Sequence, residues 1–129
     1  VTAVVLALAA ALATGGCGTE GSLAPWRLAG TPPAPSATSV DILVTEMACN
    51  GGRSADGRIA DPEISYEDDR IVVTMRTVPR GGANTCQENP ETPYRLELDE
   101  PLGDRVLMDG TLDPPAAPGP NRPTHVPGR

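Results

Sequence analysis

The chain has no phenylalanine, one tryptophan (Trp26) and two tyrosines (Tyr66, Tyr94), so any core must rest on Val, Ile, Leu and Met. Lysine is also missing: all ten basic residues are arginine, and no Gly-rich phosphate loop ending in lysine is possible. No G-x-S-x-G occurs. The one histidine, His125, lies in a proline-rich terminal stretch. A base there cannot be held in the geometry that a serine or cysteine nucleophile needs. Cysteines number three, with no CxxC and no histidine near them, which excludes a structural zinc site. The acids Glu67-Asp68-Asp69 and Asp56 to Glu63 do not supply oxygens at the alternate positions that a calcium loop uses. There is no run of basic residues. Residues 40–113 carry sixteen Asp and Glu against seven Arg, a net of −9. Such a surface is repelled by phosphates, which argues against nucleic acid as a partner and leaves cationic partners or simple solubility. No cofactor, metal ligand set or catalytic residue emerges.

Long hydrophobic runs are absent too. The apolar stretch Val1–Gly16 is short of the roughly 20 residues a spanning helix needs. An uncharged run of that length ending in small residues reads instead as the hydrophobic region and cleavage site of an export signal. The cysteine that follows, Cys17, is where a lipid would attach. The segment Ala13-Thr14-Gly15-Gly16-Cys17 resembles the lipobox of bacterial lipoproteins. That resemblance implies a signal peptide over residues 1–16, Cys17 as the lipidated mature N-terminus, and a protein anchored to the outer, extracytoplasmic face of the cell membrane, or otherwise secreted.

After Cys17 the chain divides by composition. Residues 17–39 hold Pro25, Pro32, Pro33 and Pro35 among small residues and read as a flexible linker. Such a linker reaches about 25 Å as a coil and about 70 Å if polyproline-like, enough to hold an acidic domain off an acidic surface. Trp26 stands inside it. Residues 114–129 read as a disordered proline-rich tail with too few large apolar residues to offset ordering entropy.

Residues 40–113 read as the folded domain. Val40, Ile42 and Val44 alternate with Asp41, Leu43 and Thr45; Ile71, Val73 and Met75 alternate with Val72, Thr74 and Arg76; Tyr94, Leu96 and Leu98 alternate with Arg95, Glu97 and Asp99. A period of two is the signature of a half-buried strand. Glu63–Glu67 and Asp104–Met108 are weaker candidates. The polar turn Glu67-Asp68-Asp69-Arg70 should join Ile64–Tyr66 to Ile71–Val78 as a hairpin. Nothing after Cys17 keeps a helical period for three turns. The expectation is an all-β fold: a small antiparallel β-sandwich or partly open barrel with one disulfide, flanked by disordered Pro/Gly-rich segments.

With Cys17 reserved for lipid, Cys49 and Cys86 remain, and an extracytoplasmic compartment allows them to pair. The bridge would close a loop worth roughly 4 kcal/mol in the chain-entropy model. It would tie together the loops that follow Val40–Met47 and Ile71–Val78. Ala48-Cys49, Arg58-Ile59, Thr85-Cys86 and Glu100-Pro101-Leu102-Gly103-Asp104-Arg105 resemble small uncharacterised secreted domains of high-GC Gram-positive bacteria; the resemblance implies no activity.

The functional expectation is therefore a non-enzymatic cell-envelope lipoprotein, a binding or structural module whose partner is another envelope protein. The alternative is a small secreted hydrolase working through carboxylates, with Glu97, Asp99 and Glu100 as candidates.

Overall fold

The computed structural model describes residues 21–119; Cys17, the apolar run before it and His125 lie outside that range. Within it the chain forms eight strands and no helix: β1 (Ser22–Leu23), β2 (Trp26–Leu28), β3 (Ser39–Val44), β4 (Glu63–Tyr66), β5 (Arg70–Thr74), β6 (Arg76–Thr77), β7 (Thr92–Glu97) and β8 (Val106–Asp109). They make two three-stranded sheets, β2-β3-β7 and β4-β5-β8, and a two-stranded β1-β6 pair. The small all-β fold expected from the alternation is therefore present.

The three alternating stretches become the centres of these sheets. Val40, Ile42 and Val44 are buried on β3; Ile71, Val73 and Met75 on and just after β5; Leu96 and Leu98 on and just after β7. Together with Leu102 and Leu107 they form one apolar cluster between the two sheets. β-branched side chains on a pleated surface suit this arrangement, and they fill the core without phenylalanine. The expected hairpin forms: β4 pairs antiparallel with β5, Tyr66 opposite Ile71, and Glu67 N–H donates to Arg70 O at 2.9 Å to close the turn.

Three expectations are corrected. The sheets are not wholly antiparallel, since β8 runs parallel to β5, Ile71 opposite Leu107. β7 belongs to the other sheet, opposite β3, so the chain crosses between layers and returns to β5 in the same direction. The fold also begins well before Val40. β2 pairs antiparallel with β3, Trp26 opposite Val44, and Trp26 is only 2% exposed. Ala24, Trp26 and Leu28 supply inward side chains that close one side of the core, so much of the supposed linker is structural. Gly21 allows the entry: it has a φ of +105°, and a Cβ there would lie 2.6 Å from the Thr77 carbonyl oxygen. Finally, the start of the supposed tail is ordered against the sheet. Ala116 exchanges hydrogen bonds of 2.7 and 3.2 Å with the main chain of Asp109. Residues 120–129 lie outside the described residues.

The two sheets meet along two seams, and one of them is stitched closed. At the β2–β8 seam, Trp26 Nε1–H reaches past the edge to donate to Val73 O on β5 at 2.9 Å. The buried carboxylate of Asp109 accepts from Trp26 N–H at 3.3 Å and from Thr111 N–H at 2.9 Å. A buried acid accepting main-chain donors satisfies groups that would otherwise be stranded at a strand edge.

Candidate functional site: the acidic tyrosine seam

The other seam, between β4 and β7, gathers the chemistry. Alternation on β4 turns Ile64 and Tyr66 toward the core, while alternation on β7 does the same for Tyr94. Each tyrosine is half-buried at a sheet edge. Asp99 N–H donates to Tyr66 Oη at 2.8 Å, so the phenol of one sheet caps the edge of the other. Asp61, Ile64, Tyr66, Tyr94, Glu97 and Asp99 line a concavity of about 380 Å³. Burial, with Asp61 and Glu97 nearby, raises the Tyr94 pKa above the ordinary phenol value. Asp61 and Glu97 line the same concavity as Tyr94.

On the far side of Tyr66 a second, open concavity of about 740 Å³ is lined by Glu67, Asp68, Asp69, Glu100, Asp104 and Arg105. Arg105 is its cation. The guanidinium sits over the Tyr66 ring, 5.8 Å from the centroid. It is held by Glu100, by Leu102 O at 3.0 Å and by Pro101 O at 2.7 Å. Tyr66 therefore already carries an arginine against its ring, in a ring of carboxylates. Among the described residues no three His, Cys, Asp or Glu are grouped to hold a metal ion.

The opposite end of the sheets is a knot. Cys49 and Cys86 are disulfide-bonded with Cα atoms 4.3 Å apart, joining the loops 45–62 and 78–91. Gly51 N–H donates to Thr85 O at 2.9 Å beside the bridge. Asn89 Nδ2 donates to Glu46 O and Ala48 O at 2.9 and 2.8 Å. Glu46, 2% exposed, takes both guanidinium arms of Arg58 at 2.6 and 2.8 Å, and Arg58 also donates to Val78 O and Ser54 O. Arg27 and Glu91 form a more exposed bidentate pair, 2.8 and 2.6 Å, whose hydrogen bonding lowers the Glu91 pKa.

The residues singled out from sequence fall as follows. Cys49 and Cys86 are brought together. Cys17 lies outside the described residues. Glu97, Asp99 and Glu100 are all exposed, with Glu97 and Asp99 at the Tyr94 concavity and Glu100 paired to Arg105. The tyrosines at the seam were missed as site residues; their signal was that the chain's few aromatics sit on alternating strands next to acids.

Comparison with protein-family models, with curated proteins and with solved structures finds no match to this chain.

Proposed function

We propose that this protein is a non-enzymatic envelope lipoprotein, anchored through Cys17, whose β domain is a binding module for a cationic envelope partner. The observation that carries the reading is the concentration of carboxylates and both tyrosines at the one open seam of a small, covalently tied scaffold. Binding residues placed on the edges and loops of a rigid sheet are the common arrangement for recognition.

The tether supports it. Cys17 to Gly21 spans four Cα steps, about 14 Å when fully extended. A lipid on Cys17 would therefore keep the domain close to the bilayer. β2 begins opposite the C-terminal end of β3, so the chain enters at the disulfide end. That end would face the membrane, and the acidic seam and turn would point away from it.

The test is expression of the full chain with its native N-terminus, crosslinking on intact membranes, and mass spectrometry of what co-purifies. The expected result is a lipidated Cys17 peptide and enrichment of a partner with a basic surface. That enrichment should be lost when Glu97 and Asp99 are changed to Lys and retained when Glu88 is. Release of sugar or other product from envelope polymers by the purified chain, abolished by Glu97→Gln, would instead establish the hydrolase alternative.

A further inference from the structure

The seam between β4 and β7 consists of two strand edges with unused main-chain groups. Leu98 N–H donates to Thr38 O at 2.8 Å, which sets the phase of the β3–β7 ladder. In that phase Arg95 and Glu97 turn their N–H and C=O groups away from β3. The Glu67–Arg70 bond sets the phase of β4–β5 in the same way, so Ile64 and Tyr66 turn theirs away from β5. Asp99 N–H, next on the β7 edge, is taken by the Tyr66 hydroxyl in place of a strand carbonyl. Pro93 blunts the other end of this edge because it has no N–H to offer. The pairing window is therefore Arg95 to Glu97, flanked by a capped position.

We propose that this edge takes an extended segment of a basic partner protein as an added strand on β7, with an arginine or lysine of that segment entering the concavity against Tyr94. This deepens the binding-module reading and rests on it. Strand addition supplies affinity through main-chain hydrogen bonds and specificity through alternate side chains. Charge selects the occupant: Asp61, Glu97 and Asp99 rim the concavity. The chemistry has a precedent next door, where the Tyr66 ring and Glu100 hold the Arg105 guanidinium. A second copy of this chain is a poor occupant, since edge-to-edge pairing would bring Glu97 and Asp99 against a domain of the same negative sign.

The experiment titrates the 129-residue chain, observed by amide NMR, with three capped synthetic peptides. One alternates arginine with valine; one has glutamate for every arginine; one keeps arginine but is N-methylated at alternate amides. The arginine peptide should shift the amides of Arg95, Glu97 and Asp99. Its affinity should exceed that of both analogues by about tenfold or more and fall as salt is raised. Glu97→Lys should weaken it by a similar factor, and Glu88→Lys, which makes the same change in net charge on an exposed loop, by about twofold at most. Equal binding of the N-methylated peptide would overturn strand addition, and equal binding of the glutamate peptide would overturn the charge argument. Concentration-dependent self-association abolished by Glu97→Lys would make the occupant a second copy and overturn the proposal. If the membrane crosslinking still recovers a basic partner while no arginine peptide binds, the strand mode fails and the binding-module reading stands.

Discussion

Removing the indole of Trp26 tests whether the N-terminal segment belongs to the fold. The residue is 2% exposed, and its ring spans the closed seam to reach Val73 O. A buried tryptophan removes about 200 Å² of surface from water, roughly 5 kcal/mol at 25 cal/mol/Å². Truncation to alanine in a core costs about 3–5 kcal/mol. The Val73 carbonyl is not stranded by the change, because Gly110 N–H also donates to it at 2.9 Å, so no orphan penalty is added. Trp26→Phe keeps most of the apolar volume and loses one hydrogen bond, about 1–2 kcal/mol with the small void included. The assay is urea unfolding of the disulfide-intact chain followed by circular dichroism. With a slope near 1 kcal/mol/M, Trp26→Ala should lower the midpoint by about 3 M or more, and Trp26→Phe by about 1–2 M. Trp26 is the only tryptophan, so wild-type emission should be blue-shifted and move to the red in the same transition. A midpoint within about 0.5 M of wild type for Trp26→Ala, or emission that ignores urea, would refute the placement of this segment in the core.

Other consequences can be measured on the same protein. Cys49→Ala and Cys86→Ala should each cost about 2–5 kcal/mol, with the double variant little worse than either, and the unreduced, unfolded wild-type domain should show no thiol between these two positions. Arg58→Ala should destabilise by about 3–5 kcal/mol because it leaves the Glu46 carboxylate buried without its partner, whereas Arg95→Ala, at an exposed pair with Asp41, should cost under about 1 kcal/mol. The Tyr94 phenol should titrate above the ordinary value of about 10, and Glu97→Gln should bring it down; because its folded pKa is raised, its contribution to stability is full below that value and is lost as pH climbs through the folded one. Glu91 works in the opposite sense: its lowered pKa contributes stability above about pH 4.3 that is lost as pH falls through the folded value, and Arg27→Ala should remove that small acid dependence.

Period-two alternation was sufficient to locate β3, β5 and β7, because each of these strands buries one face and leaves the other wet. The disulfide was legible by counting. β2 was not found because its neighbours Pro25 and Pro32 speak for a linker, yet Ala24, Trp26 and Leu28 already alternate. A proline in this segment costs little: Pro25 contributes only its carbonyl, accepting from Thr45 N–H at 2.9 Å. The parallel β5–β8 pair and the open seam were illegible for a different reason. Both depend on which strands meet across long sequence separations, and residue pattern reports the face of a strand without naming its neighbour. The seam tyrosines follow from that: Tyr66 and Tyr94 are 28 positions apart in the sequence and become neighbours only once β4 and β7 face each other.

Charge in this domain is sorted along the strands. At the disulfide end, the loops 45–62 and 78–91 carry Arg53, Arg58 and Arg80 against Glu46, Asp56, Asp61, Glu88 and Glu91, and Arg27 pairs with Glu91. At the other end, Glu67, Asp68, Asp69, Glu97, Asp99, Glu100 and Asp104 face only Arg70 and Arg105, and each of these arginines is paired to an acid of its own turn, Glu67 and Glu100 respectively. If Cys17 carries a lipid as proposed, a domain tethered within about 14 Å of an anionic surface would be least repelled with its less acidic end inward, since the potential falls off over a Debye length of about 8 Å. A tether that short and this charge gradient would together favour one orientation without any contact to lipid. That orientation would leave the β7 edge free along its length, with the carboxylates that would steer a basic partner placed where such a partner would approach. A long linker would have made the gradient irrelevant. With residues 22–28 absorbed into the sheets, the proposed anchor at Cys17 would give the charge asymmetry a direction to act along.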